Sequence, residues 1–566
     1  MEALKEVLIK SRVSKARLEK LKKVSREVRG RVIKSCKRKI SLRPRPPHGV
    51  PKLPPKSPIP PAAKPGAGGG TGPAPTPPTP PTGNIPQPQP GTGTPSSPSP
   101  DPGGALRPLE KNLVLLAVTR LSYGPAVGDF DRVTKMGFDA WLTEQLSPNQ
   151  IDDSALEKRL ASIPALVQTN AQLRDSKTIS EQKRSLSAEL LSATLLRAAL
   201  SRRQLLQVMT EFWSDHFNVD ISNKEGVLPL KFADDKGIRT HALGRFRDLL
   251  GHSAHSPAML YYLDNRVNRG KSPNENYARE ILELHTLGVN GGYSETDVKE
   301  VARCFTGWTV DRTTGEFMFD AGIHDNGSKI VLGRTIPSGG QQEVETVLDM
   351  LASHPSTARF IATKLCRKFI SDTPSSTVIA QIAAVFTASQ GSIAELIRAI
   401  AMRSEFGTSL GVKLRRPWDY MVSSLRALGA GLDNPAAVDS YIRAMDQFPF
   451  SWQPPTGYPD NAVSWYNASG LLARWNFAQA LAAGRLSGIT VNLQGLIGSA
   501  NTAQSIVQRL EQSFLGRPLS TQSNNAITAL LAAGQPPTQS MTAAAMTSLL
   551  PLAVGALLSS PEFQVK

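Results

Sequence analysis

The 566-residue chain carries 65 Lys and Arg against 47 Asp and Glu, but +13 of its net +18 falls within residues 1–45. The remainder is near neutral, which excludes a basic nucleic-acid-binding face spread across the body. Its three cysteines, Cys36, Cys304 and Cys366, form no C-x-x-C pair, so neither a disulfide framework nor a cysteine-based zinc ribbon is expected.

Residues 1–43 place Leu18, Leu21, Val24, Val28 and Val32 at three- and four-residue steps between Lys and Arg. That spacing predicts a basic amphipathic helix suited to an anionic surface or to nucleic acid; a solvated helix with no partner is the plain alternative. Residues 44–103 hold 23 of the 44 prolines and no acid before Asp101. Such a segment buries too little apolar surface to offset its ordering entropy, and it reads as a disordered linker. No apolar run is long enough to span a membrane. No signal peptide pattern is visible either, and the sequence assigns no compartment.

Residues 104–566 read as a mainly α body. "LVLLAVTRLSYG", "LSAELLSATLLRAALSRRQLLQVMTEFW", "STARFIATKLCRKFI", "GSIAELIRAIAM" and "TSLLPLAVGALLSS" all repeat at the helical period. One short β excursion near 316–333 is expected, with "EFMFD" and "KIVLG" flanking the turn "HDNGS". "IATKLCRKFIS" from Ile361 and "IVQRLEQSFLG" from Ile506 share a pattern and are each followed by an E-F ending, at "RSEF" and "SSPEF". Two repeated helical units would explain this.

The stretch "NENYAREILELHTLGVNGGYSETDV", residues 274–298, is densest in polar chemistry. Asn274 is a candidate N-cap, and Ser294 with Asp297 forms a capping box for the next helix. At about 100° per residue, Tyr277, Ala278, Ile281, Leu284 and His285 share one face, while Asn276, Glu280 and Glu283 lie roughly opposite. His285 therefore cannot join both glutamates at one metal from a single regular helix. Glu280 and Glu283 could hold a hard cation or share acid–base work with groups from elsewhere, or form a solvated face. His216 shares a helical face with Met209, Phe212 and Trp213, and a core role competes with ligand binding there as at His285.

His324 and Asp325, beside the turn-forming Asn326-Gly327, are the best loop candidates for a site mounted on a scaffold. His241 is a further imidazole. Trp465 lies in an aromatic loop with Trp452, Tyr458 and Tyr466 that could stack on a sugar or simply pack. No G-x-S-x-G, H-E-x-x-H, P-loop or dinucleotide motif occurs.

The ordered pieces "TRLSYGPAVGDFDRVTKMGFDAWLTEQL", "FWSDHFNVD", "HALGRFRDLL", "SPAMLYYLDN", "NENYAREILELHTLGVNGGYSETDVKEVARCFTGWTV", "HPSTARFIATKLCRKFISD", "QPPTGYPDNAVSWYNASGLLARWNFA" and "SSPEFQ" resemble the bacterial family called domain of unknown function 1800. The resemblance covers about residues 110–564. It implies no established activity; members commonly look exported and are often encoded beside a sulfatase-like family, which makes such a protein an implied partner. One departure stands out: the family tends to read F-W-H-N-H-F, and Ser214 replaces the first histidine, which weakens any role needing both.

Together these readings favour an enzyme or ligand binder with a polar cleft acting on an envelope or extracellular polymer, with a divalent metal as an optional cofactor. Glu280, Glu283, His324 and Asp325 are its catalytic candidates; Asn276, His241, His216, His285 and Trp465 are its ligand-binding candidates. The alternative is a non-catalytic interaction protein tethered through its basic tail.

Overall fold

Apolar residues at helical spacing do become buried helix faces. In Gln204–His216 the buried set includes Leu205, Val208, Met209, Phe212, Trp213 and His216. The computed structural model describes residues 108–174, 179–222, 224 and 226–566, so the expected basic tail and proline-rich linker lie outside the described residues. Pro100–Lys566 pack as one unit. Within the described residues helices dominate, and strands occur only as three two-stranded antiparallel ribbons. The fold is mainly α. None of these helices is long and apolar enough to cross a membrane.

The long periodic run before residue 216 is two helices, Ile179–Leu200 and Gln204–His216. The break is built by side chains competing for the backbone. Asp153 accepts from the Ser201 hydroxyl at 2.5 Å and the Arg202 amide at 2.7 Å, while the Gln204 amide group donates to Ala198 O at 3.0 Å and Ser201 O at 2.8 Å.

The β excursion is two hairpins. β1 (Trp308–Val310) pairs with β2 (Phe317–Phe319), and β3 (Lys329–Val331) pairs with β4 (Arg334–Ile336). The two strand-like runs thus pair outward with other segments instead of with each other. Leu332 and Gly333, both at positive φ, make the tight turn between β3 and β4. Between the hairpins a short 3₁₀ turn, Ala321–Ile323, leads into His324. The third ribbon joins Gly431–Leu432 to Ile489–Thr490.

The element order repeats as the related sequence segments suggest. Helices Pro355–Phe369, Ser376–Ala388, Ile393–Ala401 and Ser404–Gly407 are matched by Ala503–Phe514, Thr521–Ala532, Ala543–Leu558 and Pro561–Gln564. Both short closing helices bury their phenylalanine, Phe406 and Phe563. The 355–369 helix begins where His354 accepts from the Ser356 amide at 3.1 Å and Pro355 takes the first position. It ends under the buried Arg120 guanidinium, which donates to Phe369 O at 2.7 Å and Ile370 O at 3.1 Å and so satisfies carbonyls that have no helical partner. These two ends fix the helix that carries Lys364.

Candidate functional site

The 274–298 stretch forms as its capping residues direct. Asn274 accepts from the Asn276 amide at 3.0 Å, and Ser294 and Asp297 form the reciprocal box. The helix is regular over Glu275–Glu280 and then widens into a π turn over Ile281–Thr286. The Leu287 amide reaches back five residues to Leu282 O at 2.9 Å, and the Thr286 hydroxyl donates to Ile281 O at 2.6 Å. Gly288, at φ +83°, ends the helix. His285 is fully buried, and both its ring nitrogens lack hydrogen-bond partners among the described residues. Burial, reinforced by Lys364, pushes its pKa down to about 3, so the ring is neutral.

The other predicted residues fall into separate settings. Asn276 is exposed and donates to Leu263 O at 3.1 Å. Glu283 accepts from the Tyr293 hydroxyl at 3.2 Å, while burial and then Glu283 raise the pKa of the half-buried Glu280. His324 is enclosed. One of its ring nitrogens, Nδ1, lies 2.7 Å from Thr306 O, and Nε2 lies 3.2 Å from Glu343 Oε1; Lys329 Nζ meets the other oxygen of Glu343 at 2.6 Å. Asp325 pairs with Arg303 at 2.8 Å and lies 3.9 Å from Lys329, and the hydrogen-bonded Arg303 pair chiefly holds its carboxyl down at about 2. Among the described residues, no hydrogen bond or ion pair links Glu280 or Glu283 to His324 or Asp325. His241 is half-buried with its ring 6.0 Å from that of His252; burial, and then His252, lowers its pKa. Trp465 is buried, donates to Pro459 O at 2.9 Å and packs near Tyr458 with ring centroids 5.9 Å apart.

Two of the predicted residues do meet. His216 Nε2 lies 3.0 Å from the backbone carbonyl of His285, a carbonyl at the helix C-terminus with no following turn to accept from. A carbonyl only accepts, so Nε2 carries the proton and Nδ1 presents its lone pair. That lone pair faces Lys364 Nζ at 2.8 Å. Burial, then Lys364, drives the His216 pKa well below the ordinary histidine value, so the imidazole is neutral.

Lys364 and His216 line a cleft of about 360 Å³, whose walls also include Asp215, Phe360, Arg367, Arg416, Tyr458 and Asp460. An ion network supports it from behind. Arg416 donates to Asp215 at 2.8 Å and also pairs with Glu211, and Lys368 lies 3.6 Å from Glu211. Lys413 bridges Asp372 at 2.6 Å and Asp460 at 3.2 Å. Burial pushes the Asp215 carboxyl up to about 6, with Arg416 opposing and Glu211 adding to the rise. Burial pulls Lys364 down to about 8, against Asp215 and Asp460. Gly457, at φ +72°, lets the 452–461 loop pass against the helix; a Cβ there would sit 1.9 Å from Asp215 O.

Among the described residues no group of three or more His, Cys, Asp or Glu side chains is disposed to hold a metal ion. The cleft is lined by the cations Lys364, Arg367, Lys368 and Arg416 and the acids Asp215 and Asp460. Lys364 has only His216 as a polar partner, and Arg367 only the Asp372 carbonyl at 3.3 Å; neither has a carboxylate partner among the described residues. Sequence reasoning reached His216 and His285 but missed Lys364, Asp215, Arg416 and Asp460. One local signal existed: Lys368, buried at 3 %, sits among the apolar Leu365, Cys366 and Phe369, where a lysine needs a partner.

Residues 116–565 match the family described as Protein of unknown function (DUF1800). The chain belongs to that family. No curated protein and no solved structure matches it. In this DUF1800 protein the segments meeting at the cleft are those around "FWSDHF", "LHTLG", "TKLCRKF" and "TGYPDN". Ser214 lines a small neighbouring cavity, and its buried hydroxyl has no hydrogen-bond partner among the described residues.

Proposed function

We propose that this DUF1800 protein binds an anionic ligand in the His216–Lys364 cleft and acts on it by proton transfer. The observation that carries the reading is a pair of cations one helical turn apart, Lys364 and Arg367, facing a cleft of ligand size without carboxylate partners among the described residues. Elsewhere in the same region the buried cations Arg416, Lys413 and Lys368 each have an acid. Asp215, with its raised pKa, can hold or release a proton near neutrality beside the ligand. Acidic polymers of a cell envelope belong to this ligand class. Glu280, Glu283, His324 and Asp325 carry no step in this reading.

The test is calorimetric titration of the full chain with inorganic phosphate, sulfate and citrate. Binding that weakens at least about tenfold in Lys364→Met and in Arg367→Met supports the reading; anions that bind both variants as well as the wild type, or none at all, dispose of it.

A second reading draws on the exposed Val463, Tyr466, Leu472 and Trp475, which leave apolar surface facing solvent along one stretch of chain. Here the body docks a partner protein, such as the sulfatase-like one that the family resemblance implies, and residues 1–43 on their 44–103 spacer hold it to an anionic surface or nucleic acid. Co-purification with such a partner that survives Trp475→Asp, or surface attachment that survives deletion of residues 1–103, would count against it.

A further inference from the structure

The Lys364 amine is placed differently from every other lysine whose contacts the structure describes in this region. Lys368 and Lys413 face carboxylates, whereas Lys364 faces the lone pair of a neutral imidazole at 2.8 Å. The His285 carbonyl holds the proton of His216 on Nε2, so Nδ1 is a fixed acceptor for one N–H of Lys364. With its pKa lowered to about 8, Lys364 reaches its neutral form near neutral pH, and in that form the amine held by one hydrogen keeps its own lone pair free for the cleft. The Phe360 ring, 5.6 Å from Nζ, flanks the amine on one side of the cleft. The groups that face Lys364 are His216, Asp215, Asp460 and Arg367. None of them ion-pairs with it.

We propose that Lys364 is a nucleophilic amine that forms a Schiff base with an aldehyde or ketone bearing an anionic group, the anion being held by Arg367. This rests on the anion-binding reading of the same cleft and adds a covalent step to it. A desolvated lysine without a counter-ion, within reach of a proton acceptor, is the arrangement that makes an amine reactive toward carbonyls. The neutral amine attacks the carbonyl carbon, and a C–N bond forms as the C=O π pair moves to oxygen. Nitrogen loses one proton through His216 Nδ1 to the carbinolamine oxygen. Asp215, in its acid form, gives that oxygen a second proton. The C–O bond then breaks, water leaves with the bonding pair, and the nitrogen lone pair closes the protonated imine. No oxidant or reductant is needed.

The experiment uses pyridoxal 5′-phosphate as an anionic aldehyde probe on the full chain at neutral pH, with borohydride reduction and mapping of modified lysines by mass spectrometry. Phosphate binding is measured in parallel. The lowered basicity of Lys364 should make its adduct form roughly tenfold to a hundredfold faster than adducts on exposed lysines such as Lys299. Competing inorganic phosphate should slow it. Lys364→Arg keeps the charge but cannot form an imine, so it should retain phosphate binding and lose the fast adduct. Phosphate binding with adducts spread over lysines in proportion to exposure overturns the Schiff-base inference and leaves the anion-binding reading standing. Neither phosphate binding nor selective labelling overturns both.

Discussion

Two clusters of buried charge lie in this body and are built on opposite terms. Around Glu343 every charge is answered: Lys329 and His324 both face its carboxylate, and all three side chains are sealed from solvent. Around His216 the answer is incomplete, because among the described residues Lys364 meets only a neutral imidazole as a polar partner, and it opens onto a cleft. A closed cluster holds elements together, here the hairpin strand β3 and the Gln341–Ser353 helix, whereas an open one spends stability to keep a group available. Truncation should therefore move the two in opposite directions.

The largest effect is expected in the closed cluster. Glu343→Ala removes the carboxylate shared by His324 and Lys329, leaving the buried Lys329 only the Asp325 carbonyl and a distant Asp325 carboxylate at 3.9 Å, and should cost about 3–5 kcal/mol, seen as a lower denaturation midpoint. Lys364→Met should do the reverse, raising stability by up to about 3 kcal/mol at pH 7. The folded chain holds the Lys364 proton only up to about 8 and the unfolded chain up to about 10.5, so the wild type gains stability as pH rises between those values. The advantage of Lys364→Met should accordingly shrink above pH 8 and vanish near the upper value. A Lys364→Met protein that melts lower than wild type at pH 7 would break the comparison.

Gly457→Ala should cost more than about 1 kcal/mol, since alanine resists the left-handed backbone and its Cβ collides with Asp215 O. It should also weaken anion binding by shifting the wall of the cleft, which titration would show. The smallest effect belongs to Asp325→Asn. Its pair with Arg303 is partly exposed, so stability should fall by less than about 1 kcal/mol while phosphate binding stays unchanged.

What could be read from sequence was what neighbours along the chain decide. The caps at Asn274 and Ser294, the helical faces, and the burial of His285 opposite Glu280 and Glu283 all follow from residues within a turn or two. The β excursion near 316–333 was seen, but as one hairpin instead of two, because strand partners depend on where His324 and Asp325 are tied down. The cleft was largely hidden. Asp215, Lys364, Arg416 and Asp460 are separated by dozens to hundreds of residues, and a lysine beside a histidine in space leaves no spacing to detect. The charged strip that drew attention, Glu280 and Glu283, stood out because its acids are adjacent in the chain, which says nothing of what completes them across the fold.

The π turn at Ile281–Thr286 sets the register of this arrangement by the length of a single residue. A chain one residue shorter there would close as an ordinary α-helix and swing the His285 carbonyl out of line with His216. The imidazole would then be released to choose either tautomer, and the acceptor that now confronts Lys364 would be present only part of the time. Chain length at one helical turn thus acts as the setting screw for where a proton sits two segments away.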